Sequence, residues 1–351
     1  MLMKYHLALN RSIDLDEITR DAAEGKRPRH VFGMLREKLG ATVHLPGSHP
    51  VSTFDKLRAR LFGQAEVWAM ARVLKQQLSG DDVVFCNGED VAIPIAALCG
   101  AGPNRPKVAL FAHNLDRPRA KLALKMYRIG ERVDLFVTNI AIQVAFLRRF
   151  LSFPESKVRL IQDQTDMKFF TPGPANPAKA RPIIACVGLE QRDYRTLAEA
   201  THDLDVDVRI SGFSSDAAVQ SRAMPVTLPT NMSQKFYEWP DLVQLYRDAD
   251  VIAVSLFECK YSAGITTVME GLSCRRPLVV TRTEGISQYL DDDSMLITPP
   301  GDAPAVRQAI LKLLDDPSQA EAMADRGHQL ARTRHDSDRF ADEIANLLAA
   351  L

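Results

Sequence analysis

Residues 255–281 read SLFECKYSAGITTVMEGLSCRRPLVVT and begin at the end of an apolar run, Val251–Leu256. The β-branched residues of this run and its short length predict a strand that is buried on both faces. Gly264 then opens a helical pattern, Pro277 ends it, and Leu278–Val280 predicts the next buried strand. Strand, loop, helix and strand in this order form a βαβ crossover, which puts the helix N-terminus at the carboxyl edge of a parallel sheet. Such sheets bind their ligands at that edge.

The predicted helix has a free N-terminus and two distinct faces. Its unpaired N–H groups suit an anion such as a diphosphate, and Gly264 has no Cβ to obstruct the approach. Glu270 lies about one turn further in, where its carboxylate can accept two hydrogen bonds from a vicinal diol such as that of a ribose. The alternative is an ordinary βαβ unit in which Glu270 is a solvated helix residue. The apolar stripe consists of Ile265, Val268, Met269 and Leu272, and the other face of Thr266, Thr267 and Glu270.

Further segments accompany this unit: VGLEQRDYRTLAEA from Val187, DLVQLYRDADVIAVSL from Asp241, AGITTVMEGLSCRRPLVVT from Ala263 and TRTEGISQYLDDDSMLITPPGD from Thr281. Together they resemble the donor-binding half of retaining glycosyltransferases with the GT-B fold, in the large group 1 family that includes sucrose synthases and mannosyltransferases. The resemblance implies an α/β protein with two Rossmann-like domains facing a cleft. It also implies transfer of a sugar, with a hexose expected, from a nucleotide-diphosphate sugar to an acceptor with retention of configuration.

Two glutamates separated by seven residues contact the donor in this family, the first at the sugar and the second at the ribose. Glu270 matches the second glutamate, whereas Ser262 occupies the place of the first. Glu258 and Lys260 are the nearby candidates for the sugar contact. The predicted donor site around this helix therefore consists of Lys260, Gly264, Ile265, Thr266, Thr267 and Glu270.

Two other segments of the second half are predicted to touch the nucleotide. The loop GLEQRDYR matches the family's donor-phosphate loop, with Leu189 in place of an arginine and Arg192 in place of a lysine. A guanidinium can hold a diphosphate bidentately, so Arg192 is the predicted diphosphate ligand. The segment QKFYEWPDL matches the region where relatives contact the base, and Tyr237 and Trp239 are candidates to stack there. The alternative is that these aromatic side chains belong to the core.

His113 and Asn114 follow a predicted strand, Val108–Ala112, in the first half of the chain. They therefore lie at the carboxyl edge of that sheet. Many relatives place a histidine in this loop against the donor sugar, whereas a histidine in a loop is otherwise an ordinary hydrogen-bonding group. The predicted catalytic residues are His113, Asn114, Glu258 and Ser262.

The stretch TPGPANPAKARP, residues 171–182, is dense in proline and glycine and has no apolar periodicity, which predicts a domain linker. The predicted acceptor-side domain is then 1–170 and the nucleotide-sugar domain 183–335. The last segment, 336–351, is predicted to be a helix that packs back towards the first domain.

Composition narrows the class of protein. With 351 residues and 46% hydrophobic residues, the chain can form two cores. Its N-terminus has no apolar stretch of signal-peptide length, and its longest apolar run is too short to cross a bilayer. Five cysteines without CxxC spacing argue against disulfides and zinc sites. No metal-ligand cluster is apparent, no cofactor besides the substrate is expected, and the predicted location is the cytoplasm.

The charges are divided unequally although the net charge is zero. Residues 1–170 contain 26 Lys and Arg against 18 Asp and Glu, and the remainder has the reverse. No nucleic-acid motif accompanies the charge, which argues against nucleic acid as a partner. An anionic membrane surface, at the inner face of the membrane, or a phosphorylated acceptor fits better, and the expected acceptor is a glycan or lipid. The residues predicted to make that contact are the apolar and basic ones of 54–62 together with Lys121, Lys125 and Arg128, which are predicted to form a basic stripe on one helical face. The alternative for both segments is an ordinary surface helix.

Two other functions fit the same sequence. A nucleotide-sugar epimerase with a similar fold needs no acceptor. A degenerate protein that binds a nucleotide-sugar without turnover would explain why Ser262 and Leu189 depart from the family pattern.

Overall fold

The computed structural model of the protein describes residues 3–151, 155–212 and 221–351. The chain divides into two compact units. The first contains the described residues of 1–19, 30–162 and 340–351, and the second those of 20–29 and 163–339. The division at Gln162 and Asp163 lies ahead of the boundary at 170 that the sequence suggests. Residues 171–182 contain neither helix nor strand.

The first unit is built on a parallel sheet with the strand order β2-β1-β3-β4-β5-β6. Along β3, Val83 and Phe85 pack into one core and Val84 and Cys86 into another. Because helices cover both faces, these strands read as continuous apolar runs rather than alternating ones. The strands are β1 (Lys4–Ala8), β2 (Thr42–His44), β3 (Asp82–Cys86), β4 (Lys107–Phe111), β5 (Leu135–Thr138) and β6 (Val158–Leu160).

The helices of this part of the chain are α1 (Leu15–Ala23), α2 (Val31–Leu39), α3 (Thr53–Leu61), α4 (Ala65–Gln77), α5 (Glu89–Cys99), α6 (Pro118–Met126), α7 (Ile129–Arg132) and α8 (Ala141–Leu151). Helix α6 ends at Met126, and Arg128 beyond it has a positive φ of 49°. The predicted basic stripe of Lys121, Lys125 and Arg128 is therefore wrong as one helical face, because the helix ends before Arg128.

Arg29, just ahead of α2, belongs to the second unit and binds two carboxylates of that same unit. Its guanidinium lies 2.6 Å from Asp166 and 2.8 Å from Asp338. Its backbone amide also donates to Asp166 at 2.7 Å. Burial opposes ionisation of Asp338, but the hydrogen bonds from Arg29 and Lys168 hold its pKa below the usual range. The two chain segments of the second unit, 20–29 and 163–339, are thereby joined near their ends at one side chain.

The second unit contains another parallel sheet, with the order β12-β11-β10-β7-β8-β9. Its strands are β7 (Ile183–Val187), β8 (Asp207–Ser211), β9 (Met232–Lys235), β10 (Val251–Val254), β11 (Leu278–Thr281) and β12 (Leu296–Thr298). The helices described after residue 163 are α9 (Tyr194–Thr201), α10 (Trp239–Asp248), α11 (Ile265–Ser273), α12 (Ala303–Asp315), α13 (Pro317–Arg334) and α14 (Ser337–Ala349).

The predicted βαβ crossover is formed by β10, α11 and β11, with α11 buried more completely than its pattern suggests. Thr267 and Glu270 are buried together with the apolar stripe, and Thr266 is exposed. The sequence puts all three on one polar face, which is wrong because other parts of the unit cover both sides of the helix. Gly327 of α13 illustrates how closely one side is covered, since a Cβ there would lie 2.5 Å from Leu272.

Gly264 begins α11 in a conformation that favours glycine, with φ of 87°. A Cβ at this position would lie 2.9 Å from Cγ1 of Val254 in the neighbouring strand. The close approach of the helix start to β10 thus depends on the missing side chain.

Gly264→Ala should lower the free energy of unfolding by about 2–4 kcal/mol, because the left-handed backbone costs about 1–2 kcal/mol and the contact with Val254 adds a packing penalty. Gly301→Ala is the matched control, since Gly301 has φ of 69° and open space around it. Chemical unfolding of both variants measures the two costs. Equal destabilisation would show that the contact with Val254 contributes nothing.

Candidate functional site

The candidate site of the second unit lies at the carboxyl ends of β7 and β10, where α11 begins. The N-cap of α11 is Gly264, which offers no side chain to the first amides. The amide of Ile265 is 3.4 Å from the carbonyl of Ser262. In the part of the chain that the structure describes, the amides of Thr266 and Thr267 have no acceptor. These amides and the positive end of the helix dipole can together bind an anion.

Glu270 is buried behind these amides, with 5% of its surface exposed. The hydroxyl of Tyr246 donates to its Oε2 at 2.5 Å. Burial raises the pKa of Glu270 to about 7, although the Tyr246 bond and the charge of Arg192 act in the opposite direction. The alternative of a solvated helix residue is therefore wrong, because the helix turns this carboxylate into the unit.

Arg192 connects the loop after β7 to α11 by hydrogen bonds. Its Nε donates to the carbonyl of Val187 at 2.9 Å, and its terminal nitrogens donate to the carbonyl of Glu190 and to Oγ1 of Thr267, each at 3.0 Å. The Thr267 hydroxyl in turn donates to the carbonyl of Val187 at 3.2 Å. A Cβ on Gly188 would lie 2.8 Å from this guanidinium, so the glycine leaves it room.

These contacts give Arg192 a structural role that the sequence does not reveal. The side chain is 5% exposed, and three of its five N–H groups bind the protein. The charge therefore lies under the loop and beside α11. A direct contact between Arg192 and a diphosphate stays a prediction.

The loop between β10 and α11 contains the candidates for the sugar contact. Glu258 and Lys260 are exposed and Ser262 is half-buried. The carboxylate of Glu258 accepts a hydrogen bond from the amide of Glu284 at 3.1 Å. A Cβ on Gly285 would lie 2.0 Å from a backbone oxygen of this loop, so the loop is packed tightly on its neighbour.

The two aromatic candidates have different surroundings. Tyr237 is half-buried, and Nζ of Lys235 lies 4.2 Å from the centre of its ring. Trp239 is 37% exposed and meets Phe169 and Phe170 edge-on, each at 6.4 Å between ring centres. Trp239 thus packs in an aromatic cluster while one part of its ring stays accessible, and the base contact stays a prediction for both residues.

His113 and Asn114 lie after β4 in the first unit. Both backbone amides donate to the carboxylate of Glu89, each at 3.1 Å. Nε2 of His113 is 3.2 Å from the carbonyl of Asn87, to which it donates, because a carbonyl oxygen can only accept. The ring also packs on Phe111, with 4.9 Å between centres. The loop is therefore held in one conformation with an exposed imidazole.

The sequence prediction missed the residues that hold these candidates in place. Tyr246 falls within the apolar pattern of α10, so its sequence signal indicates a core residue. Glu89 reads as an ordinary acidic residue of the first turn of α5. Each of these residues lies 24 or 25 positions from its partner, so a local sequence pattern cannot reveal the contact. Among the described residues there is no group of three His, Cys, Asp or Glu side chains suited to a metal ion, and no helix long and apolar enough to cross a membrane.

A chain with two parallel α/β units of this kind has the GT-B fold, as comparison with solved structures shows. HepE of Anabaena in complex with UDP and glucose superimposes with a TM-score of 0.70 over 99% of this chain and 100% of that one, at 15% identity. A UDP-forming α,α-trehalose-phosphate synthase of Burkholderia vietnamiensis gives 0.72 over 100% and 99%, at 13% identity. Sucrose-phosphate synthase of Thermosynechococcus elongatus gives 0.70 over 99% and 98%, at 17% identity.

Residues 181–316 match the family described as glycosyl transferases group 1. The resemblance deduced from the sequence is thereby confirmed. The α-D-kanosaminyltransferase of Streptomyces kanamyceticus is 28% identical over 123 residues. That alignment spans 35% of this chain and 30% of the relative's length.

The raised pKa of Glu270 predicts a pH-dependent stability. An acid whose pKa rises from 4.5 to about 7 on folding keeps its proton after the unfolded chain has lost it. The stability of the wild type should fall as the pH rises through this interval, by up to about 3 kcal/mol, and then stay level. Glu270→Gln has no such titration, so its stability relative to wild type should increase over the same interval.

Thermal unfolding between pH 4.5 and 8 measures this difference. Glu199→Gln, which changes an exposed glutamate of the same unit, is the control and should follow the wild type. A pH-independent difference between Glu270→Gln and wild type would mean that Glu270 titrates normally.

Proposed function

We propose that the protein is a glycosyltransferase that moves a sugar from a nucleotide-diphosphate sugar to an acceptor with retention of configuration. The observation that carries the proposal is the buried carboxylate of Glu270 behind the unpaired amides that begin α11. An anion site and a diol acceptor one to two helical turns apart match the diphosphate and ribose of a nucleotide. The family of residues 181–316 and the complex of HepE with UDP and glucose support this choice of donor.

Each part of the site has a role in the proposal. The diphosphate binds the amides of Thr266 and Thr267, with the charge of Arg192 beneath, and the ribose binds Glu270. Tyr237 and Trp239 are the proposed contacts of the base. The loop with Glu258, Lys260 and Ser262 is the proposed contact of the transferred hexose.

The reaction breaks the bond between the anomeric carbon of the sugar and the diphosphate oxygen. A bond to the acceptor oxygen forms on the same face, and the departing phosphate takes the acceptor's proton. No protein nucleophile is then needed. The dipole of α11, the Thr266 and Thr267 amides and Arg192 stabilise the negative charge that develops on the leaving group. His113 and Asn114 are proposed to contact the sugar, and the acceptor is a glycan or a lipid.

The role of Glu270 is tested by donor binding. A hydrogen bond to a charged group contributes about 1.5–3 kcal/mol, so Glu270→Ala should weaken nucleotide-sugar binding about tenfold or more. UDP-glucose is the first probe, and a thermal-shift screen selects another nucleotide-sugar if it does not bind. Calorimetry then compares the variant with wild type and with Glu199→Ala, whose side chain is exposed.

The ionised carboxylate is the better acceptor for a diol, so wild-type affinity should also rise between pH 6 and 8, through the pKa of about 7. Glu270→Gln should remove this rise. Wild-type affinity in a folded Glu270→Ala variant would refute the ribose contact.

The reaction is tested by product analysis with and without an acceptor panel. We expect an anomer-retaining product only when an acceptor is present, and His113→Ala should lower kcat while leaving nucleoside diphosphate affinity nearly intact. Asn114 offers a second variant in the same loop. An epimerised sugar from the donor alone would replace the proposal by the epimerase, and donor binding without any product would replace it by the binding protein.

A further inference from the structure

Helix α3 of the first unit is amphipathic in the reverse of the usual sense. Its acidic residue Asp55 is fully buried, whereas Phe54, Leu57 and Leu61 are 71%, 55% and 50% exposed. These three apolar residues are spaced at i, i+3 and i+7 and form one stripe. The apolar stripe of a surface helix normally faces the core. Here it faces away from the unit.

Hydrogen bonds to Asp55 fix this orientation. The carboxylate accepts from the amide and the hydroxyl of Ser52, at 2.9 and 2.7 Å, in a capping box. It also accepts from the guanidinium of Arg72, at 3.1 and 3.2 Å. Burial opposes ionisation, but these bonds hold the pKa of Asp55 below its usual range. The capping box belongs to α3 itself, but rotating the helix to bury its stripe would break the bonds to Arg72, so these bonds keep the stripe exposed.

Basic side chains border the stripe on both sides. By helical geometry Lys56 and Arg60 lie along one side and Arg58 along the other. The acid of this helix, Asp55, is buried and already paired. Lys56 and Arg60 are exposed and form no ion pair with any residue that the structure describes. A stripe with this border presents apolar area and positive charge together.

Two further exposed apolar residues, Leu122 and Met126 of α6, are connected to α3 by a series of side-chain contacts. The guanidinium of Arg58 lies 5.6 Å from the centre of the Trp68 ring, and that ring lies 5.4 Å from Tyr127. Tyr127 directly follows α6, whose Met126 and Leu122 are 45% and 58% exposed. The exposed apolar side chains of α3 and α6 therefore belong to neighbouring parts of one unit.

The basic residues of the α6 segment are less available than Lys56 and Arg60 of α3. Lys121 and Lys125 lie over the rings of Phe146 and Phe150, at 5.3 and 5.0 Å. Arg128 forms an ion pair of 2.5 Å with Glu131. The charge of Arg128 is therefore already offset. Of the two segments that the sequence predicts for the membrane contact, α3 therefore has the more available basic side chains.

We propose that a docking face, consisting of Phe54, Leu57, Leu61, Lys56, Arg58 and Arg60, binds an anionic lipid surface with α3 lying in the plane of the interface. The apolar stripe enters the boundary between head groups and acyl chains, and the long basic side chains reach the phosphates beside it. A second copy of this chain fits less well, because a two-fold contact would bring identical positive charges together. This inference goes beyond the proposed glycosyl transfer and does not depend on it.

Vesicle co-sedimentation without any nucleotide tests the docking face. The wild type should bind vesicles of phosphatidylcholine and phosphatidylglycerol at low salt, and salt should weaken the binding. Each basic residue near an anionic surface strengthens binding about fivefold, so Lys56→Glu with Arg60→Glu should weaken it at least tenfold. The triple variant Phe54→Ser, Leu57→Ser, Leu61→Ser should also lose at least tenfold.

Two variants of the second unit serve as controls. Val226→Ser removes an exposed apolar side chain and Lys312→Glu reverses an exposed charge, and both should bind like wild type. The α3 substitutions are at exposed positions, so unfolding temperature and donor affinity should stay unchanged. Wild-type protein that ignores anionic vesicles, or a triple variant that binds them normally, would overturn the proposal. Self-association of the wild type that the triple variant abolishes would overturn it in favour of a contact between copies.

Discussion

The candidate donor site depends on the buried guanidinium of Arg192. It ties the carbonyl of Val187, at the end of β7, to the hydroxyl of Thr267 in the first turn of α11. The loop after the strand and the start of the helix therefore keep a fixed separation. Burial raises the pKa of Glu270 to about 7, and the same positive charge opposes this rise together with the hydrogen bond from Tyr246. Arg192 thus contributes both to the geometry and to the electrostatics of the site.

The sequence predicts the architecture well because the relevant signals are local. Short β-branched runs, apolar helical stripes and the sharp stop at Pro277 each specify an element, and the right-handed crossover rule orders them. The positions of Gly264 and Glu270 in the site follow from the same pattern. The roles of Tyr246 and Glu89 do not follow from it, because each acts on a residue 24 or 25 positions away. Such pairs become neighbours only through tertiary packing.

Helix α3 shows a second limit of what apolar periodicity can predict. The spacing of Phe54, Leu57 and Leu61 indicates a stripe but cannot say whether the stripe faces the core or the solvent. Phe62 follows the same apolar pattern and is nevertheless buried. The deciding interaction is the long-range bond between Asp55 and Arg72. This buried contact therefore determines which face of α3 is exposed to solvent.

The three-way contact of Arg29 has a consequence for how the protein can be divided. Asp166 follows the passage of the chain into the second unit, and Asp338 precedes its return to the first. Neither unit is a continuous stretch of polypeptide. A gene fragment that ends in the proline-rich stretch would encode Arg29 and Asp166 but not Asp338, and would lack the final strip of the first core around Phe340. In genetic terms the two halves are not interchangeable modules, because a cut between residues 171 and 182 separates 20–29 from the rest of the second unit and 340–351 from the rest of the first.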